Sequence, residues 1–101
     1  MMQYGLSSEH INRIKAIFTS QTEIEEVVLY GSRAKGNYKP NSDIDLTIKG
    51  NAITTSILNK ISIQLDDLLL PYTFDISLYS QIKSDDILEH INRVGILFYK
   101  K

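Results

Sequence analysis

The segment from Asp43 to Lys49 constrains the fold of this 101-residue chain more strongly than any other feature. Its residues alternate as Asp, Ile, Asp, Leu, Thr, Ile and Lys, and this period of two predicts a β-strand with one polar face. The side chains of Asp43 and Asp45 then leave the same face, ~7 Å apart along the strand, while Ile44 points into the core. Two like charges side by side are costly unless a cation neutralises them. The alternation therefore predicts a strand that carries a cation site.

The sequence on either side of this strand predicts further helices and strands. Helices are indicated by apolar residues at helical spacing behind a serine cap, and strands by short apolar runs rich in β-branched residues. In chain order we expect a helix from Ser7 or Ser8 to about Ser20, a strand over Glu25–Tyr30, a loop over 31–42, the strand Asp43–Lys49, a helix from Ile53 to a stop at Pro71, a strand over Tyr72–Tyr79, a helix capped by Ser84 and stopped by Gly95, and an extended tail over Ile96–Tyr99. The order α-β-loop-β-α-β-α predicts an α/β (α+β) fold, a small mixed β-sheet of three to four strands flanked by helices. A chain of this length has room for one core, so residues 1–101 are expected to form a single domain.

The loop over residues 31–42, with the sequence GSRAKGNYKPNS, has the composition of a phosphate-binding segment with at most one helical turn. Gly31 lets backbone N–H groups approach a phosphate closely, and the Ser32 hydroxyl adds a donor. Arg33, Lys35 and Lys39 place three cations in an otherwise slightly acidic chain. Mg²⁺ is commonly held by one or two carboxylates plus substrate phosphates. The loop directly before the aspartates therefore indicates a metal–triphosphate site, and the alternative is a hairpin whose Asp and Ser residues merely cap turns.

Two other motifs are excluded by their spacing. Gly31 and Gly36 have the separation of a Walker A loop, but Asn37 stands where that loop needs its lysine. Asn41, Asp43 and Asp45 imitate the start of a calcium-binding EF-hand loop, but Leu46 occupies the position that requires glycine.

The residues Gly31-Ser32-Arg33-Ala34-Lys35-Gly36, followed by Ser42-Asp43-Ile44-Asp45-Leu46, closely resemble the G-S-x-A-R-G…S-D-x-D-L signature of the minimal nucleotidyltransferases. These are the short members of the polymerase-β-like nucleotidyltransferase superfamily. The signature spans only residues 31 to 46, but the order of helices and strands agrees over nearly the whole chain. The resemblance implies the nucleotidyltransferase fold.

The resemblance also implies a role for each residue that matches the signature. A third carboxylate is expected on a neighbouring strand, and Asp75 lies in the matching place. Asp43 and Asp45 would bind two Mg²⁺ ions, with Mn²⁺ as a substitute, and Asp75 would complete one metal site and help to deprotonate the acceptor hydroxyl. Gly31 and Ser32 would hold the β- and γ-phosphates of ATP or another nucleoside triphosphate. The remaining expected nucleotide-binding residues are Arg33, for which a solvated surface position is the alternative, and Lys35, which replaces the usual arginine and lacks its two-pronged donor.

The function implied is transfer of a nucleoside monophosphate, AMP from ATP, to an acceptor hydroxyl. Short members of the family resemble the antitoxin halves of two-gene modules, whose partner is an all-helical higher-eukaryote-and-prokaryote nucleotide-binding (HEPN) domain. A tyrosine of that partner is the expected acceptor. One alternative is a non-catalytic module that binds nucleotide or partner and neutralises the toxin without chemistry. Another is a small-molecule, antibiotic-modifying nucleotidyltransferase, which would need a helical domain that this chain lacks.

Charge and composition bear on the binding partners and the cellular compartment that can be expected. The formal net charge of −1 argues against unaided, general binding to DNA or RNA. No apolar run approaches the ~20 residues that span a membrane, and the start of the chain lacks the pattern of a signal peptide. The absence of cysteine fits a reducing cytosol, so a cytoplasmic protein is expected. His10 and His90 fall on predicted helix surfaces and are assigned no role.

Overall fold

A four-stranded mixed sheet organises the chain in the computed structural model, which describes residues 2–101. The elements in chain order are β1 (Met2–Gln3), β2 (Leu6–Ser7), α1 (Ser8–Thr19), β3 (Glu26–Tyr30), α2 (Ser32–Lys35), β4 (Ile44–Lys49), α3 (Thr55–Asp66), β5 (Phe74–Leu78), a 3₁₀ turn (Tyr79–Gln81), α4 (Asp85–Val94) and β6 (Ile96–Lys100). The strands lie in the order β5-β4-β3-β6. β3 is antiparallel to both β4 and β6, whereas β4 and β5 are parallel and are joined through α3. The predicted mixed sheet with flanking helices is confirmed.

Each of the three long helices begins at a hydroxyl cap. The side chains of Ser7, Thr54 and Ser84 accept hydrogen bonds from the N–H groups of His10, Ile57 and Ile87, respectively. Such a cap satisfies one of the donors that an α-helix leaves free at its start. The caps at Ser7 and Ser84 confirm two of the predicted helix starts.

The middle helix is shorter than its apolar pattern predicts. α3 begins at Thr55 and ends at Asp66, well before Pro71. Leu69 adopts a φ of 55°, in the left-handed region, and its side chain is 89% exposed. The leucines at the end of the pattern therefore do not all belong to one helical stripe, and the helix ends where the backbone turns.

The two faces of the sheet are covered differently. One face is apolar and packs with α1 and α3 into the hydrophobic core. Its fully buried strand residues alternate along the chain and are Val27, Leu29, Ile44, Leu46 and Ile48. The opposite face carries Asp45 and Thr47 of β4, and α4 contacts β3 on that side through Ile91 and Gly95, close to Val28.

Two features of the ends of the chain were not fully predictable. Residues 2–7 form a small hairpin of β1 and β2, where the sequence analysis placed no strand. The apolar tail forms β6, an edge strand paired with β3, in which Phe98 is buried and Leu97 is half exposed. In the part of the chain that the structure describes, no helix has the length and apolar character needed to cross a bilayer.

Candidate active site

The carboxylates of the site are organised by the register of three strands. Tyr30 of β3 is the partner of Asp45 on β4, and Asp45 is in turn the partner of Asp75 on β5. Residues opposite each other on neighbouring strands point to the same face, with the strands ~4.8 Å apart. Asp43 precedes β4 and is exposed. The predicted placement of Asp75 on the strand beside Asp45 is therefore what the structure has.

The pKa of Asp45 reflects its burial and the negative charge of the neighbouring carboxylates. Burial, together with the carboxylates of Asp75 and Asp43 and against a lowering by Arg33, raises the pKa of the Asp45 carboxyl to about 6. A carboxyl that holds its proton so tightly lacks a sufficient positive partner within the protein.

The three aspartates do not form a closed metal cage. Among residues 2–101, no group of three His, Cys, Asp or Glu side chains is drawn together closely enough to hold an ion. The donor set instead suits Mg²⁺, because that ion is usually held by one or two carboxylates and completes its shell with water and substrate phosphate. Asp45 and Asp75, with Asp43 within electrostatic reach, supply hard oxygen ligands and an excess of negative charge.

The glycine loop lies directly against the carboxylates. Gly31 has a φ of 75°, and a Cβ at this position would run into the carboxylate of Asp45. Only glycine allows both this backbone conformation and this approach. Ser32 opens α2, the single helical turn expected in the loop, and the Lys35 side chain is exposed at its end. The structure thus brings Gly31, with Ser32 next in the chain, against Asp45.

Arg33 points away from solvent. Its side chain is 2% exposed, and its guanidinium donates to the backbone carbonyls of Tyr4, Pro40 and Ser42. The alternative of a solvated surface arginine is wrong, because the Arg33 side chain is itself buried and bonded to backbone carbonyls. A contact between Arg33 and phosphate stays a prediction.

His90 is a neighbour of the loop that the sequence analysis missed. Its Nε2 accepts a hydrogen bond of 3.1 Å from the N–H of Gly31, and its ring stands edge-on to Tyr30 at 6.1 Å. The contact spans 59 residues of sequence, so no local pattern around His90 could reveal it. The other histidine, His10, shares a hydrogen bond of 3.0 Å with the hydroxyl of Tyr72. The described residues enclose no pocket, so the site is an open face of the sheet.

A mixed sheet with a glycine–serine loop beside aspartates on two adjacent strands is the arrangement of the nucleotidyltransferase class of folds. Residues 12–101 match the sequence model of the family described as polymerase beta, nucleotidyltransferase. The match covers most of the chain, and the chain therefore belongs to this family.

Solved structures share this fold at low sequence identity. A chain of a toxin–antitoxin complex with AMP-PNP matches with a TM-score of 0.72 and 17% identity, over 90% of this chain and 73% of that one. A complex from Shewanella oneidensis of a tri-AMPylated HEPN toxin with MNT antitoxin matches with a TM-score of 0.68 and 13% identity, over 95% and 74%. A putative nucleotidyltransferase from Sulfolobus solfataricus matches with a TM-score of 0.54 and 21% identity, over 100% and 91%. A search of curated proteins found no match.

Proposed function

We propose that this protein transfers AMP from ATP to a tyrosine hydroxyl of a helical HEPN-domain partner and thereby acts as an antitoxin. The observation that carries the proposal is the direct apposition of Gly31 to Asp45, with Asp75 beside Asp45 on the next strand. This apposition supports a single site in which the loop would bind phosphates and the carboxylates would bind metal. The chain's lack of cysteine suits a reducing compartment, and we propose the cytoplasm.

Two sets of residues would bind the triphosphate: the loop would contact the phosphates, and the aspartates would hold the metal ions. Gly31 would turn its backbone N–H from His90, to which it donates in the nucleotide-free protein, to the β- and γ-phosphates, and Ser32 would donate its hydroxyl to them. Lys35 adds a positive charge from the exposed end of α2. Asp43, Asp45 and Asp75 would hold two Mg²⁺ ions, for which Mn²⁺ could substitute. The metal would neutralise the phosphates and stabilise the charge that develops during transfer.

The transfer itself is an in-line displacement at the α-phosphorus. The acceptor oxygen forms a bond to that phosphorus, the bond to the oxygen bridging to the β-phosphate breaks, and pyrophosphate leaves. Asp75 is exposed on the edge strand β5, and it takes the proton of the acceptor hydroxyl. The site is open rather than enclosed, which suits an acceptor presented by a second protein.

The choice of a HEPN-domain partner and of ATP as the nucleotide is supported by the similar solved structures. One is a toxin–antitoxin complex with AMP-PNP, and another contains a tri-AMPylated HEPN toxin with MNT antitoxin. The signature segment 31–46 of this chain resembles the same group, with Lys35 as its visible departure. We therefore propose the same class of acceptor here.

Label transfer tests this function. The chain is purified together with the proposed HEPN-domain partner and incubated with Mg²⁺ and ATP labelled at either the α- or the γ-phosphate. We expect the partner to gain α-label and no γ-label, and the Asp75→Asn complex to form without gaining label. A native complex that forms but transfers nothing would contradict the proposal and favour the non-catalytic binding module, a reading that Lys35 in place of arginine keeps open. Rapid labelling of aminoglycosides by the isolated chain would favour the antibiotic-modifying class instead.

A further inference from the structure

Arg33 is the largest side chain that is fully buried in the described part of the protein. Burial of a charge is costly unless the charge is compensated by hydrogen bonds or an opposite charge. Within residues 2–101 the only ion pair joins Arg93 to Glu89 at the surface, so no carboxylate pairs directly with Arg33. Its guanidinium lies instead between the rings of Tyr38 and Tyr72, 5.4 and 5.3 Å from their centroids.

The hydrogen bonds of Arg33 connect parts of the chain that meet at the site. Nε and Nη2 donate to the carbonyl of Ser42 at 3.1 and 2.9 Å, and Nη2 also donates to Pro40 at 3.3 Å. Nη1 donates to the carbonyl of Tyr4 at 2.8 Å. Arg33 directly follows Ser32, and Ser42 directly precedes Asp43. The guanidinium therefore links the residue after Ser32 to the residues that lead into Asp43 and β4.

The N-terminal hairpin closes over the same guanidinium. Tyr4 and Gly5 have φ values of 57° and 76°, and two successive positive values are typical of a type I′ hairpin turn. Tyr4 is an unusual residue for this conformation, which a tyrosine rarely adopts. A Cβ at Gly5 would lie 2.5 Å from Cε1 of Tyr38 and 2.6 Å from Nη1 of Arg33. The hairpin turn is thus fitted to the side chain of Arg33.

We propose that Arg33 is a positioning residue: it fixes the glycine loop relative to Asp43 and Asp45, and the N-terminal hairpin holds it in place. Its five donors in a planar fork reach three carbonyls together, which a lysine ammonium cannot do in the same directions. The inference rests on the proposed function where it concerns turnover, and on the structure alone where it concerns the order of the loop.

The substitution Arg33→Lys keeps the positive charge but removes the planar guanidinium, so it tests whether the hydrogen bonds to the three carbonyls position the loop. Amide hydrogen exchange is measured over residues 31–36 and 43–46 in the nucleotide-free protein, together with exchange at core amides of β3. We expect exchange in both segments to accelerate at least about tenfold, with core exchange unchanged. Arg13→Lys is the matched control, since Arg13 is an exposed arginine that donates to a backbone carbonyl, that of Leu68. The control should exchange like the parent.

Kinetics separate positioning from direct phosphate contact. A misplaced loop should lower kcat for label transfer by about 10- to 100-fold with a smaller change in KM for ATP. A phosphate contact made by the charge itself would be retained by Arg33→Lys. The proposal would be overturned if Arg33→Lys had the kcat and the amide exchange of the parent. It would also be overturned if exchange at the core amides accelerated as much as exchange over residues 31–36 and 43–46, because the variant would then have lost stability throughout.

Gly5→Ala keeps Arg33 and tests the hairpin, so it decides the question even if Arg33 variants fail to fold. Faster exchange over residues 31–36 with an unchanged core is the expected result. Parent-like exchange would contradict the role of the hairpin. If the parent itself binds no ATP with Mg²⁺, the proposed function fails, whereas the exchange measurements still decide the role of Arg33.

Discussion

Asp45 is the residue at which the strands, the loop and the charges of the site meet. It is the register partner of both Tyr30 and Asp75, and it touches Gly31. Burial and the two neighbouring carboxylates raise its pKa to about 6, so much of its charge at neutral pH is uncompensated in the protein alone. A divalent cation would relieve this repulsion, and the free energy that the repulsion costs the metal-free protein can be measured.

Asp45→Asn should stabilise the metal-free protein at high pH. Because the folded chain binds the proton of Asp45 more tightly than the unfolded chain does, the parent gains stability below the ordinary pKa of 3.8 and loses it as the pH rises through about 6. The whole rise in pKa would correspond to ~3 kcal/mol, which solvent screening of this half-buried carboxyl reduces to about 1 kcal/mol. Urea unfolding with a chelator at pH 8 and pH 3 measures the difference, which should nearly vanish at the lower pH. A less stable variant at pH 8 would show that the carboxylate is a structural group.

Ser32→Ala should weaken the binding of ATP with Mg²⁺ by about 1–3 kcal/mol, because its hydroxyl would donate to an ionised phosphate oxygen. Isothermal titration calorimetry measures the change in Kd. Ser56→Ala, at an exposed position of α3, is the matched control and should bind like the parent. Equal affinity of Ser32→Ala and the parent would mean that the loop is only a turn.

Elements were predictable from sequence where the signal was local. The caps at Ser7 and Ser84 and the alternation of β4 predicted their elements closely, because a hydroxyl cap and a half-buried strand act over a few residues. The end of α3 was not predictable in this way. Leu69 continues the apolar pattern of the helix but turns out to be exposed at a positive φ.

The site was predictable to the same extent. Gly31, Ser32, Asp43 and Asp45 lie within one short segment, and the resemblance to the family implied a third carboxylate at Asp75. The interior position of Arg33 depends on carbonyls of the hairpin and of residues 40–42, and the contact of His90 depends on how α4 packs on β3. Such contacts are set by tertiary packing and leave no pattern around the residue itself.

His90→Leu tests whether α4 contributes to the nucleotide site. Removing the acceptor of the Gly31 N–H should destabilise the nucleotide-free protein by about 1 kcal/mol. We expect the loss to be smaller with saturating ATP and Mg²⁺, because a phosphate oxygen would then accept from Gly31. Thermal unfolding with and without ligand measures both values.

His10→Leu is the matched control for this prediction, since it removes the hydrogen bond to Tyr72 rather than one to the loop. Its loss should be the same with and without nucleotide. If His90→Leu behaves like His10→Leu, then His90 supports the fold and does not face the phosphates.

At the scale of the whole molecule, the two faces of the sheet differ: one packs into the hydrophobic core, and the other carries the carboxylates of the candidate site. α1 and α3 bury the apolar face and complete the core, while α4 covers only part of the other face near β3. The carboxylates occupy the part of that face nearest β5 and remain open to a ligand or a partner. The candidate site is therefore exposed on one face of the sheet, while the opposite face forms the core.

The most direct test of the account is a calorimetric titration of ATP into the metal-free protein and into the protein with Mg²⁺ or Mn²⁺. The parent should bind ATP only with the metal, and the double variant Asp43→Asn, Asp45→Asn should lose that binding while it keeps its fold. Equal ATP binding by the parent and the double variant, with and without metal, would contradict the claim that the glycine loop and the aspartates form one metal–triphosphate site.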